Sequence, residues 1–244
     1  MKPLVTFDLW ETLIFDPPGR TKQRGEYRLA IFERALHDLG YPVSADKLVR
    51  AYRQGWERIE KVWESCGELT VPEQIREWLQ FAECKLELTP EVMATLERLY
   101  VKPFVEDPAG MLPGAMETVA AARDAGYTVG LISNTGRTPG RVLRDGMAEQ
   151  GLLELFDFTM FSDEEVLRKP AAEIFHRAAK RAGVETGMHI GDHALYDIVG
   201  GRAAGWMTIW VTANGNDPEG QAADFVWPDI GSGASWFQNH GKAD

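Results

Sequence analysis

An acidic side chain, Asp8, closes the apolar run Leu4-Val5-Thr6-Phe7, in the segment Asp8-Leu9-Trp10-Glu11-Thr12. A carboxylate just past a buried strand sits where ligands bind in open α/β sheets. There it can serve as a nucleophile or as a hard metal ligand. Three further polar clusters follow apolar stretches or open loops beside them: Ser133-Asn134, Lys169-Pro170, and Gly191-Asp192 with Asp197. Carboxylates, a hydroxyl, an amide and an ammonium group are the parts needed to bind and attack an anionic electrophile.

For these clusters to meet, the chain must supply parallel strands whose carboxyl ends share one edge. The pattern predicts such strands. Residues 3–7, 127–132, 158–161, 188–190, 207–211 and, more weakly, 225–227 read as strands. Helices are expected over 113–125, 140–150, 171–182 and 198–204. Their alternation with the strands implies a mostly parallel, doubly wound sheet.

Between the first strand and the first clear βα unit lie about 80 residues, too many for a loop. From Glu26 to about Leu99 they read as helical. Leu29, Phe32, Ala35 and Leu36 form one apolar face, and Leu48, Tyr52, Trp56, Ile59 and Trp63 another. Ser44 and Thr89 are expected N-caps, and Pro72 and Pro90 fit helix starts. Residues 16–25, with Arg20, Lys22 and Arg24, read as a solvated linker. Trp56 and Trp63 read as helix-packing residues rather than ligand contacts. The expected architecture is a Rossmann-like three-layer α/β core with a parallel sheet (residues 1–15 and 104–244) and an inserted α-helical cap (residues 16–103).

Composition narrows the function classes. The 244-residue chain has 37 acidic and 26 basic residues, a formal net charge of -11, and 44% hydrophobic residues. That balance argues against general nucleic-acid binding but leaves room for a small anionic substrate at a local cationic site. Cys66 and Cys84 form neither a disulfide framework nor a metal-spaced cluster, which fits a reducing compartment. No apolar stretch approaches the length of a membrane span, and no secretory leader is apparent. A cytoplasmic protein, monomeric or homodimeric, is expected.

Taken in order, the segments Phe7-Asp8-Leu9-Trp10-Glu11-Thr12-Leu13, Leu131-Ile132-Ser133-Asn134, Lys169-Pro170 and Ile190-Gly191-Asp192 with Asp197 resemble the four motifs of haloacid dehalogenase-superfamily hydrolases with a helical C1-type cap. The resemblance implies that Asp8 attacks phosphorus and forms an aspartyl-phosphate. It implies that Mg²⁺ is held by Asp8, the Trp10 backbone carbonyl and Asp192. Ser133 and Asn134 would hold a phosphoryl oxygen, Lys169 would neutralise charge, and Asp197 would orient Lys169 or a metal-bound water.

Trp10 departs from that pattern. Phosphatases of the superfamily usually carry a second Asp there, which protonates the leaving oxygen. Indole has a donor but no titratable proton at ordinary pH. Glu11 and His193 are the candidate substitutes, and Thr12 lies in the same segment. The superfamily's 2-haloacid dehalogenases also carry an aromatic residue at this position, and halide leaves unprotonated. Asp192 weighs against that chemistry, because the metal-free dehalogenases lack the matching ligand. A third reading is a degenerate protein that binds phosphometabolites or a partner without turnover.

Overall fold

The computed structural model describes residues 2–212 and 222–240. Six strands form a parallel sheet: β1 (Leu4–Phe7), β4 (Thr128–Ser133), β5 (Phe158–Phe161), β6 (Met188–Gly191), β7 (Met207–Val211) and β8 (Phe225–Trp227). Their order is β5-β4-β1-β6-β7-β8, so β1 lies between β4 and β6. The chain winds outward on one side of β1 and then on the other. The carboxyl end of β1 is therefore the topological switch point, where open α/β sheets hold their ligands.

The strands are apolar on both faces, as parallel strands covered by two helical layers must be. Along β1, Val5 and Phe7 enter one core cluster and Leu4 the other. Helix α5 (Ala115–Asp124) and helix α10 (Ser232–His240) pack together. Helices α6 (Gly140–Glu149), α7 (Ser162–Glu165), α8 (Ala172–Ala182) and α9 (Gly200–Ala203) complete the connections between strands.

Four helices fill the long stretch between β1 and β4: α1 (Arg20–Asp38), α2 (Ala45–Trp63), α3 (Val71–Phe81) and α4 (Pro90–Glu106). They are joined to the sheet through a short antiparallel pair, β2 (Ile14–Phe15) with β3 (Gly110–Met111). Phe32, Leu36, Leu48, Trp78 and Tyr100 are buried among the four helices. Thr89 caps α4 by accepting from the Val92 amide at 3.4 Å, whereas Ser44 precedes α2 without a side-chain cap bond.

Several local expectations change. Residues 16–25 are not a linker: only Asp16 to Gly19 break the chain, and α1 begins at Arg20. Arg24 is 8% exposed because Asp16, at 2.6 Å, and the Asp107 carbonyl satisfy its guanidinium. Helix α4 runs past Leu99 and through Pro103 to Glu106. The helix expected at 198–204 starts earlier, as a π-helical turn over Ala194–Val199. The pair β2–β3 is too short to show periodicity. Among the described residues, no helix is long and apolar enough to cross a membrane.

Candidate active site

The four clusters converge. Lys169 Nζ lies 2.6 Å from Asp8 Oδ1 and 2.5 Å from Asp197 Oδ1. Lys169 and Asp197 are each 1% exposed and Asp8 6%. The Asp8 amide donates to the Ile190 carbonyl at 2.8 Å, which ties the residue to the neighbouring strand. Asn134 clamps the lysine backbone on both sides: its Oδ1 accepts from Lys169 N at 2.9 Å and its Nδ2 donates to Lys169 O at 3.0 Å.

Asp197 is held by three groups. Besides Lys169, it meets His189 Nε2 at 3.1 Å and accepts from the His193 amide at 2.9 Å. Thr6 Oγ1 lies 2.8 Å from His189 Nδ1 and fixes that ring from below. Gly191 makes room: a Cβ there would collide with the Asp197 carboxylate. Asp192 stands across the site, with Thr12 Oγ1 donating to its Oδ1 at 3.3 Å and Trp210 Nε1 donating to its carbonyl at 2.7 Å.

The electrostatics separate the carboxylates. Burial pushes Asp8 up to about 6 against the pull of Lys169. Burial and the adjacent Asp8 and Asp197 charges push Asp192 up to about 8. Burial would also raise Asp197, but Lys169 and His189 overcome it and hold the carboxyl well below its ordinary value. Burial would lower Lys169, and the two aspartates overcome that and keep it charged.

Three carboxylates thus face one ammonium group, and oxygens of Asp8, Asp192 and Asp197 lie within 4.8 Å of one another. Asp197 is saturated. Among the described residues the Asp192 side chain has only a hydroxyl partner, so the unmatched negative charge sits on Asp8 and Asp192. Three ionised carboxylates against one ammonium leave two negative charges in excess, and oxygen donors of that charge fit a hard divalent cation.

The other predicted residues take distinct places. Ser133 is fully buried at the end of β4 and donates to the Asn134 carbonyl at 3.4 Å; the adjoining cleft wall is formed by Asn134 and Thr135. Trp10 lines the cleft and packs edge-on against Phe104, with ring centres 6.0 Å apart. Glu11 adopts φ 55°, at the turn where its amide donates to the Ile14 carbonyl. Burial raises its carboxyl, which lies near the Asp16 amide and makes no bond to Asp8. His193 stacks on Tyr196 at 4.1 Å, and its Nδ1 accepts from the Tyr196 amide.

The site opens into a cleft of about 1070 Å³ between the carboxyl edge of the sheet and helices α1 and α2. Trp56 and Trp63, expected as packing residues, do pack edge-on against each other, with ring centres 5.2 Å apart, and they also line the cleft, together with Arg24. On that side cleft cations stack on them: Arg137 lies 5.0 Å from the Trp56 ring centre and Arg168 lies 3.8 Å from that of Trp63. Arg28, Glu68, Arg137 and Arg168 were not singled out by their sequence context, and Tyr52 was read only as part of an apolar helix face. Arg168 adjoins Lys169 and Arg137 follows Ser133-Asn134 in one loop, which is the only sequence signal they carry.

A strand-end carboxylate, a buried lysine and flanking carboxylates thus gather at the switch point of the parallel sheet. The chain belongs to the haloacid dehalogenase-like hydrolases, whose family model matches residues 2–205. It is 30% identical over 215 residues to haloacid dehalogenase-like hydrolase domain-containing protein 3 of Bos taurus, covering 85% of this chain and 81% of that protein. It is 31% identical over 103 residues to glyceraldehyde 3-phosphate phosphatase of Pyrococcus furiosus, 41% of each chain. The structure of 2-haloacid dehalogenase from Pseudomonas syringae pv. Tomato DC3000 shares the fold, with a TM-score of 0.72 at 22% identity over 98% of this chain and 99% of the other.

Proposed function

We propose that this hydrolase cleaves a small phosphomonoester through a covalent aspartyl-phosphate on Asp8. The observation that carries the reading is the Lys169 ammonium held between Asp8 and Asp197 beside the unmatched Asp192 carboxylate. A relative whose name is that of a phosphatase supports the same reading.

Asp8, the Trp10 carbonyl and Asp192 would hold Mg²⁺. Bound there, the ion supplies Lewis-acid charge and a template for phosphoryl oxygens. The chain's own groups do the rest. Asp8 attacks phosphorus and the ester P–O bond breaks, leaving the phosphoryl group on the carboxylate. Lys169 stabilises the charge that develops on the equatorial oxygens, and its position is set in advance by Asp197 and Asn134. Asn134 would contribute a donor at the phosphoryl group, and Ser133, buried behind it and donating to its carbonyl, would hold that loop in place. Water then cleaves the acyl phosphate and restores Asp8.

Trp10 cannot give the leaving oxygen a proton, so the alcohol is protonated from solvent. Esters with good leaving groups are therefore favoured. Residues 16–103 would act as the cap that covers the strand ends, excludes water and selects the substrate.

A panel of phosphate esters, acyl phosphates and 2-haloacids, each assayed with and without Mg²⁺, tests this. Phosphate release that needs Mg²⁺ and disappears in Asp8→Asn is expected. Halide release without metal would replace the reading with dehalogenation. Robust phosphate release by Asp8→Asn would refute the covalent mechanism.

A further inference from the structure

Most buried cations of the cleft are matched by carboxylates. Arg24 pairs with Asp16 at 2.6 Å, Arg168 with Glu68 at 3.0 Å, and Lys169 with Asp8 and Asp197. Arg28 and Arg137 are different. Arg28 is 3% exposed, yet its guanidinium meets only neutral oxygens: Nε donates to the Tyr100 carbonyl at 2.6 Å and Nη1 to Tyr52 Oη at 2.8 Å. Arg137 also meets only neutral oxygens, with Nη1 donating to Tyr100 Oη at 3.0 Å and Nη2 to the Tyr52 carbonyl at 3.2 Å. Tyr100 is no counterion. Burial raises its phenol, which donates to Gln74 Oε1 at 2.7 Å.

Two guanidinium groups are thus held by the same two tyrosines, with no carboxylate paired to either among the described residues. Arg28 Nη2 and Arg137 Nε make no hydrogen bond there. Both residues line the cleft that contains Asp8. Arg137 is further fixed by stacking over Tyr52 at 3.7 Å, so its fork is oriented in advance. Arg28 is a buried charge without a carboxylate partner, which is costly, and half-buried Arg137 adds a like charge to the same scaffold. The chain has a net charge of -11, yet none of its described carboxylates, including Glu11, Asp16 and Glu26 of the same cleft, pairs with either guanidinium.

The geometry points to a second anion subsite, formed by Arg28 and Arg137 with Tyr52, that takes the remote acidic group of the substrate. Resting on the phosphatase reading, this makes the preferred ligand a phosphomonoester that carries a carboxylate or a further phosphate. Its phosphoryl end sits at Asp8 and Lys169. Its second oxyanion bridges the loop after β4 and helices α1 and α2, so that binding joins the helical segment to the sheet edge.

Calorimetric titration of the wild-type protein in Mg²⁺ buffer with ω-phosphonoalkanoates of graded length, each against its uncharged carboxamide, tests the subsite without requiring turnover. A parallel arm compares α,ω-bisphosphonates with the monophosphonates and distinguishes carboxylate from phosphate. At the best spacer the doubly anionic compound of either arm binds about tenfold or more tighter than its singly anionic match. Arg137→Gln and Arg28→Gln each bring that ratio toward one, with folding verified by circular dichroism. A wild-type ratio near one in both arms, no binding of any compound, or a ratio unchanged in both folded variants overturns the subsite. Phosphate release from simple esters is measured alongside. A retained binding preference without hydrolysis would sink the phosphatase reading alone, and hydrolysis without a preference would sink the subsite alone.

Discussion

Glu68 Oε2 accepts from Arg168 Nη1 at 3.0 Å in an ion pair whose side chains are 1% and 4% exposed, joining the helical segment to the residue beside Lys169. The carboxylate also accepts from Ser162 Oγ at 2.6 Å and Trp63 Nε1 at 2.9 Å. Burial raises Glu68 and lowers Arg168, each offset by the other's charge. Removing one partner strands the other, so Glu68→Ala is expected to lose about 3–5 kcal/mol of stability in urea denaturation. The double variant Glu68→Leu with Arg168→Met should lose less than the two single changes added together. Additive losses would show that the pair is not coupled.

Trp10 sits at the cleft with its ring against Phe104. Trp10→Asp is expected to raise kcat for alkyl phosphates by about 10²-fold or more and to affect aryl phosphates much less, because alkoxides depend more on a proton donor. Steady-state assays with both ester classes read the difference. An equal response of the two would show that leaving-group protonation is not what the aromatic residue limits.

Cation binding should compete with protons at Asp8 and Asp192, raised to about 6 and about 8. Both folded-state values lie above the ordinary 3.8. In metal-free protein, each group therefore removes stability as pH rises from the ordinary value through its folded one. A divalent cation binds the ionised forms, so its gain in melting temperature grows with pH. Mg²⁺ is expected to raise the melting temperature more near pH 8 than near pH 6, and Asp192→Asn should abolish most of the gain. A pH-independent gain, or one retained in Asp192→Asn, would place the cation elsewhere.

Much of the core was readable because its signals are local. An apolar run that ends in Asp8, Ser133 or Gly191-Asp192 marks both a strand and its polar end, and parallel pairing then brings the ends together. The helical stretch was legible as helix but not as a cleft wall. Trp56 and Trp63 fit an apolar stripe equally well whether they pack inward or receive an arginine. Whether Arg24 is solvated or buried depends on Asp107, whose carbonyl is distant in sequence and arrives only through tertiary packing. The subsite arginines are invisible for the same reason: their lack of a counter-charge is a property of the assembled cleft, not of any segment.

His189 offers a test of the buried network that is independent of turnover. Its ring is fully buried, with Thr6 Oγ1 at 2.8 Å on one side and Asp197 Oδ1 at 3.1 Å on the other. Burial lowers its pKa below the ordinary 6.5, and the nearby Lys169 ammonium adds to the effect, although Asp197 opposes both. The unfolded chain therefore binds a proton that the folded chain refuses. The stability due to neutral His189 is complete above pH 6.5 and falls as pH drops below it, by up to about 1.4 kcal/mol per pH unit until the folded value is reached. Asp8 and Asp192 bias the total in the opposite direction, so the difference between wild type and His189→Gln isolates the imidazole. That difference, from urea denaturation at a series of pH values, is expected to favour wild type progressively less as pH falls from about 6.5. A difference that stays constant across the range would mean that His189 is protonated in the folded protein, shared between Thr6 and Asp197 as a cation.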